Sequence, residues 1–153
     1  MEKFEVLREL IRNMERKMGV LNEFQRCCQN LTLTQCHALV EIGRAKTLSL
    51  VRLSEILELE TSTVSRTVER LVKAQFVSRV TDQSNRRYVT ISLTEEGGKV
   101  FRDIETEMDL QFKHILQCIP EDRQDTVIDS IRVLTQAIQL SELNQLKEGN
   151  YNV

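Results

Sequence analysis

The stretch Ser49–Leu93, SLVRLSEILELETSTVSRTVERLVKAQFVSRVTDQSNRRYVTISL, changes its hydrophobic period once, and that change decides the fold. Ser49 is placed to cap a short helix carrying Leu50, Leu53, Ile56 and Leu57. After the tight connection Glu58-Leu59-Glu60, a second helix runs from about Thr61 to Ala74. Two short helices joined by a few residues make a helix-turn-helix. Then Phe76-Val77-Ser78-Arg79-Val80 and Tyr88-Val89-Thr90-Ile91-Ser92-Leu93 alternate and are rich in β-branched residues. The polar run Asp82-Gln83-Ser84-Asn85-Arg86-Arg87 between them is turn-forming, which predicts a hairpin, a wing on the helix-turn-helix.

Working outward, Leu7, Leu10, Met14, Met18 and Leu21, with Ile11 and Phe24, recur at helical spacing and predict one long amphipathic helix over about 3–26. Thr32-Leu33-Thr34-Gln35 matches a reciprocal capping box, followed by Ala38, Leu39 and Ile42 as a buried stripe, with the helix ending near Gly43. Downstream, Thr94-Glu95-Glu96 opens a long helix to about Gln117 with Val100, Ile104, Met108, Phe112 and Ile115 on one side. Pro120 halts it and opens a last helix striped by Val127, Ile131, Leu134 and Ile138. One proline, five glycines and no tryptophan in 153 residues suit the same reading. The fold class is mainly α with a small β-wing (α+β). A winged helix-turn-helix lobe spans 31–97, a helical dimerisation module combines 1–30 with 98–147, and 148–153 form a frayed tail.

The net charge of −2 argues against a nonspecific nucleic-acid binder, but its distribution overturns that reading. Between Thr61 and Arg87, six cations (Arg66, Arg70, Lys73, Arg79, Arg86 and Arg87) face two carboxylates (Glu69 and Asp82), a local charge of +4, while the chain from Glu95 onward is acidic. Neither an apolar signal core nor a membrane-spanning run is present, so the chain is expected in the cytoplasm, away from any membrane. In that reducing compartment the four cysteines are not expected to form structural disulfides, and no CxxC pair announces a zinc ribbon.

From about Phe4 to Leu146 the order of elements resembles the MarR family of transcriptional regulators. The motifs that carry the resemblance are Thr61-Ser62-Thr63-Val64-Ser65-Arg66, then Val68, Leu71 and Val72, then Phe76-Val77-Ser78-Arg79, Asn85-Arg86-Arg87 and Leu93-Thr94-Glu95-Glu96-Gly97. Three positions depart from the family pattern. Gln75 stands where a helix-ending glycine is usual, Glu60 where a capping serine is usual, and Asn85 where the wing usually has aspartate, which weakens a carboxylate clamp on Arg87.

A recognition helix needs small polar residues near its N-terminal end, where the backbone approaches the major groove, and long donors beyond them. Ser62, Thr63, Ser65 and Arg66 supply that combination, with Arg66 as a guanine contact or phosphate clamp. Arg70 and Lys73 are assigned to phosphates, the plain alternative for Arg70 being a surface pair with Glu69 or Asp82. Arg87 is the candidate for a narrow minor groove, with Arg86 on phosphate. The first and last helices cannot bury their stripes alone, so a homodimer is expected, presenting two recognition helices roughly 34 Å apart to a pseudo-palindromic operator in double-stranded DNA.

Cys27, Cys28, Cys36 and His37 fall within eleven residues where the first helix meets the second. In the resembling family effectors act at that junction, and thiolate and imidazole suit zinc, copper(I) or another thiophilic ion, with the acidic run Asp103, Glu105 and Glu107 available to complete a site. His114 and Cys118, four apart on one helix, form a weaker candidate pair. Against these stands the ordinary role of a helical cysteine as a small core hydrophobe, with Cys36 one turn before Leu39 and Val40. The chain carries no phosphate-binding glycine loop, no HExxH and no GxSxG, which argues against an enzyme. The expected function is a sequence-specific DNA-binding regulator, by family analogy a repressor released by an effector. That effector is a metal or oxidant sensed through Cys27, Cys28 or Cys36, or else a small organic ligand with the cysteines incidental. A winged-helix protein-interaction module is the remaining class.

Overall fold

The computed structural model describes residues 2–21, 31–81 and 89–149. The elements are α1 (Lys3–Leu21), α2 (Leu33–Ala45), β1 (Thr47–Ser49), α3 (Leu50–Leu57), α4 (Thr61–Lys73), β2 (Val77–Thr81), β3 (Val89–Leu93), α5 (Glu95–Gln117) and α6 (Glu121–Gly149). The chain divides into two compact units, 1–108 and 109–153. No helix among the described residues is long and apolar enough to cross a membrane.

Local chemistry starts the helices where the sequence places their caps. Thr32 and Gln35 close the capping box, with the Gln35 amide donating to Thr32 Oγ1 (3.3 Å) and the Thr32 amide donating to Gln35 Oε1 (2.8 Å). Ser49 caps α3 by accepting from the Arg52 amide at 3.1 Å. α2 continues to Ala45, two residues past the end expected at Gly43.

One core serves the first unit. Ala38, Leu39 and Ile42 of α2, Leu53 of α3, Val64, Val68 and Leu71 of α4 and Ile91 of β3 are fully enclosed, and Val100 and Ile104 of α5 join them. Each enclosed aliphatic side chain contributes about 1.5–3 kcal/mol, so this cluster is what anchors α4. The three-stranded antiparallel sheet has the order β1-β3-β2, with Leu48 opposite Ile91 and Val77 opposite Leu93. β1 is not visible in the sequence pattern, because its three residues are too few to alternate and are strand only by pairing with β3.

α4 ends in a Schellman turn. The Phe76 amide donates to Leu71 O (3.0 Å) and the Gln75 amide to Val72 O (2.9 Å), with Gln75 left-handed at φ 64°. The residue that departs from the family's glycine therefore adopts the glycine conformation. α2 approaches α5 closely where Gly43 faces Phe101: a Cβ on Gly43 would stand 2.6 Å from the ring. Arg44 reaches across the same junction to Glu105, with Nη2 donating to Oε1 at 3.0 Å.

In the second unit α5 ends and α6 begins around Pro120. The Gln124 side-chain amide donates back to the carbonyls of Leu116 (3.1 Å) and Ile119 (3.2 Å), satisfying acceptors that the end of α5 leaves open. Within the single chain the apolar stripes of the outer helices stand exposed: Leu10 is 61% accessible on α1, and Ile131 and Ile138 are 53% and 47% accessible on α6.

Candidate nucleic-acid interface

α4 is divided cleanly between two environments. Val64, Val68 and Leu71, at i, i+4 and i+7, face the core with Thr67, whose buried hydroxyl is satisfied by donating to Thr63 O at 3.0 Å. The opposite face carries Ser62, Arg66, Glu69, Arg70 and Lys73 exposed and Ser65 half-buried. Thr63 is also half-buried, at the border of the two faces.

Arg66 does not extend freely, since its Nε donates to Ser62 O at 3.3 Å, one turn back. Its guanidinium is thereby referenced to the first turn of the helix. Ser65 Oγ donates to Glu69 Oε1 at 3.3 Å, which engages the exposed carboxylate beside the basic residues. Among the described residues Arg66, Arg70 and Lys73 make no ion pair. The alternative pairing of Arg70 with Glu69 does not form, and Asp82 lies outside the described residues, as do the wing arginines Arg86 and Arg87 and the neighbouring Asn85. Unpaired cations on an exposed helix face are available to phosphate oxygens without first breaking an internal bridge.

At its C-terminal end α4 is clamped to α5. Thr94 sits between the sheet and α5: its amide donates to Phe76 O (3.0 Å), its hydroxyl donates to Gln75 O (2.6 Å) and accepts from the Gly97 amide (3.0 Å). At the N-terminal end the cap residue Glu60 makes no side-chain hydrogen bond to the helix. Ser54 and Thr61 meet there instead, Oγ to Oγ1, at 3.3 Å. No spacing rule singles out these two residues, which belong to different helices. The one hint in the sequence is the glutamate in the cap position.

Of the cysteine and histidine candidates, Cys36 and His37 face different environments. Cys36 is buried in the core cluster while His37, the next residue on α2, is exposed, as the 100° step of a helix requires. Cys27 and Cys28 lie outside the described residues. Glu105, expected as a further ligand, holds Arg44. Among the described residues no three His, Cys, Asp or Glu side chains are grouped to hold a metal ion. His114 and Cys118 are both exposed near the end of α5.

Comparison with known proteins agrees with this geometry. The model of the MarR family matches residues 31–89. Two Bacillus subtilis proteins are each 24% identical over 122 residues, or 80% of this chain: the HTH-type transcriptional regulator YfiV, over 75% of its length, and the HTH-type transcriptional repressor MdtR, over 79%. The crystal structure of Streptococcus pneumoniae FabT in complex with DNA superposes with a TM-score of 0.81 at 18% identity, covering 90% of this chain and 98% of that one. Over residues 31–89, which include the helix-turn-helix of α3 and α4, the chain is thus similar to the MarR family of transcriptional regulators.

Proposed function

We propose that this chain is a cytoplasmic, homodimeric regulator and not an enzyme, one that binds a pseudo-palindromic operator in double-stranded DNA and represses transcription until an effector releases it. The observation that carries the reading is the exposed face of α4, where Arg66, Arg70 and Lys73 stand unpaired among described residues beside Ser62 and Ser65, on a helix whose other face is locked into the core. Ser62, Thr63, Ser65 and Arg66 read base edges; Arg70 and Lys73 hold phosphates; Arg86 and Arg87 extend the contact from the wing. MdtR is named a transcriptional repressor and FabT was crystallised with DNA, which supports repression and duplex binding as the mode here. The exposed stripes of α1 and α6 supply the surface on which two copies pair.

The test is binding of the purified chain to duplexes recovered from a random-sequence pool, measured over a range of salt. Affinity that falls steeply with salt and favours the recovered sequences supports the reading, and Arg87→Ala should weaken it without disturbing the dimer. Binding that is weak and independent of sequence and salt overturns it and leaves a protein-interaction module. The effector belongs to the same proposal: a thiophilic ion or oxidant acting at Cys27, Cys28, Cys36 or His37, or at the His114 and Cys118 pair, or else an organic ligand at the junction of α2 and α5. Metal content and thiol titration of anaerobically purified protein separate these. About one zinc or copper(I) per subunit, lost in Cys36→Ser, selects the metal, whereas unreactive thiols and peroxide-insensitive DNA binding select the organic ligand.

A further inference from the structure

The first turn of α4 is held from outside the helix. Glu60 occupies the cap position but its side chain makes no hydrogen bond to the helix, a role that the side chain of serine, threonine, aspartate or asparagine ordinarily fills. Ser54, buried near the end of α3, donates its single hydroxyl proton to Val51 O at 2.7 Å. Its 3.3 Å contact with Thr61 therefore has the Thr61 hydroxyl as donor. The Ser54 carbonyl also accepts from the Leu59 amide at 3.1 Å, so one residue of α3 fixes both the turn and the first residue of α4.

We propose that Ser54 is a positioning residue for base recognition: acting through Thr61, it sets the placement of the α4 first turn and with it the placement of Ser62, Ser65 and Arg66. The inference rests on the reading of α4 as the recognition helix. Arg66 is tied to Ser62 O, so a loosened first turn displaces the arginine as well as the serines. Base-edge hydrogen bonds need placement within about 0.5 Å, whereas Arg70 and Lys73, farther along the helix, reach phosphates that tolerate larger shifts. Loss of the Ser54 hydroxyl therefore erodes discrimination between sequences and leaves general duplex affinity in place.

The experiment uses the full chain, with duplexes enriched from a random-sequence pool by the wild-type protein and shuffled duplexes of the same composition. Ser54→Ala is expected to lower the ratio of enriched to shuffled affinity about fivefold or more while shuffled-duplex affinity stays within about twofold. Thr61→Val, which removes the donor at the exposed end, should reproduce that loss even if Ser54→Ala folds poorly. Ser54→Ala/Glu60→Ser, which installs a conventional cap, should recover the melting temperature but not the ratio. An unchanged ratio in both single variants, or a ratio restored by the new cap, overturns the inference, since the hydroxyl would then only stabilise the helix. Failure of the wild-type chain to enrich any duplex overturns the reading of α4 itself, and the inference with it.

Discussion

The hydroxyl of Thr94 donates to the carbonyl oxygen of Gln75 at 2.6 Å, and Gln75 is the left-handed residue, φ 64°, on which α4 turns into β2. A threonine that caps α5 thus also braces the strained exit of α4. Glutamine at φ 64° carries roughly 1 kcal/mol of backbone strain that glycine avoids. Gln75→Gly should raise the denaturant midpoint by the equivalent of about 0.5–1 kcal/mol with an unchanged slope, the gain being trimmed by the glycine's freedom in the unfolded chain. Thr94→Val, which loses both side-chain hydrogen bonds, should cost about 1–2 kcal/mol in the same urea titration.

Adjacent glycines at the start of α5 should respond in opposite directions. A Cβ on Gly97 would lie 1.9 Å from Phe76 O, a backbone atom that cannot step aside, whereas on Gly98 the nearest atom is the flexible Arg102 Nη1 at 3.5 Å. Gly97→Ala should destabilise by about 3 kcal/mol or more, and Gly98→Ala should stabilise by up to about 1 kcal/mol through helix propensity. Thermal unfolding of the two variants side by side distinguishes them; equal shifts would mean that α5 does not pass Phe76 this closely.

Glu60 caps α4 poorly, and the deficiency is correctable. Glu60→Ser should add about 0.5–1.5 kcal/mol of stability by placing a hydroxyl within reach of the Thr63 amide, whose present acceptor is Glu60 O at 2.9 Å. Calorimetry checks this, and a gain indistinguishable from zero would show that the Ser54 and Thr61 pair already replaces the cap.

The two arginines of the exposed α4 face should separate by function. Arg70→Ala should weaken binding to all duplexes alike and reduce the slope of log affinity against log salt by about 1. Arg66→Ala should cost about 1–3 kcal/mol on recovered sequences and less on shuffled ones. Neither side chain makes an ion pair among the described residues, and the Arg66 bond to Ser62 O is exposed, so the melting temperature should change little in both cases. Identical losses on both kinds of duplex for Arg66→Ala would move it to the phosphate class.

Much of this molecule is legible before folding because the information is local. The capping box of Thr32 and Gln35, the Ser49 cap, the Val64, Val68 and Leu71 stripe and the alternation around Ile91 each depend on residues within about seven positions of one another. Periods of 3.6 and 2 then assign helix and strand, and the basic face of α4 follows as the complement of its apolar one.

What the tertiary structure alone decided is which distant groups meet. Glu105, available in the sequence as a metal ligand, is claimed by Arg44, 61 positions away. Cys36 and His37, adjacent in the chain, are separated by burial. Thr47–Ser49 becomes a strand because β3 has an open edge, Gly97 is required because Phe76 O lies against it, and Ser54 finds Thr61 because α3 and α4 share a core. Such contacts carry no period. They are set by the crossing of packed elements, and a few tenths of an ångström there decides whether two polar groups bond or are left apart.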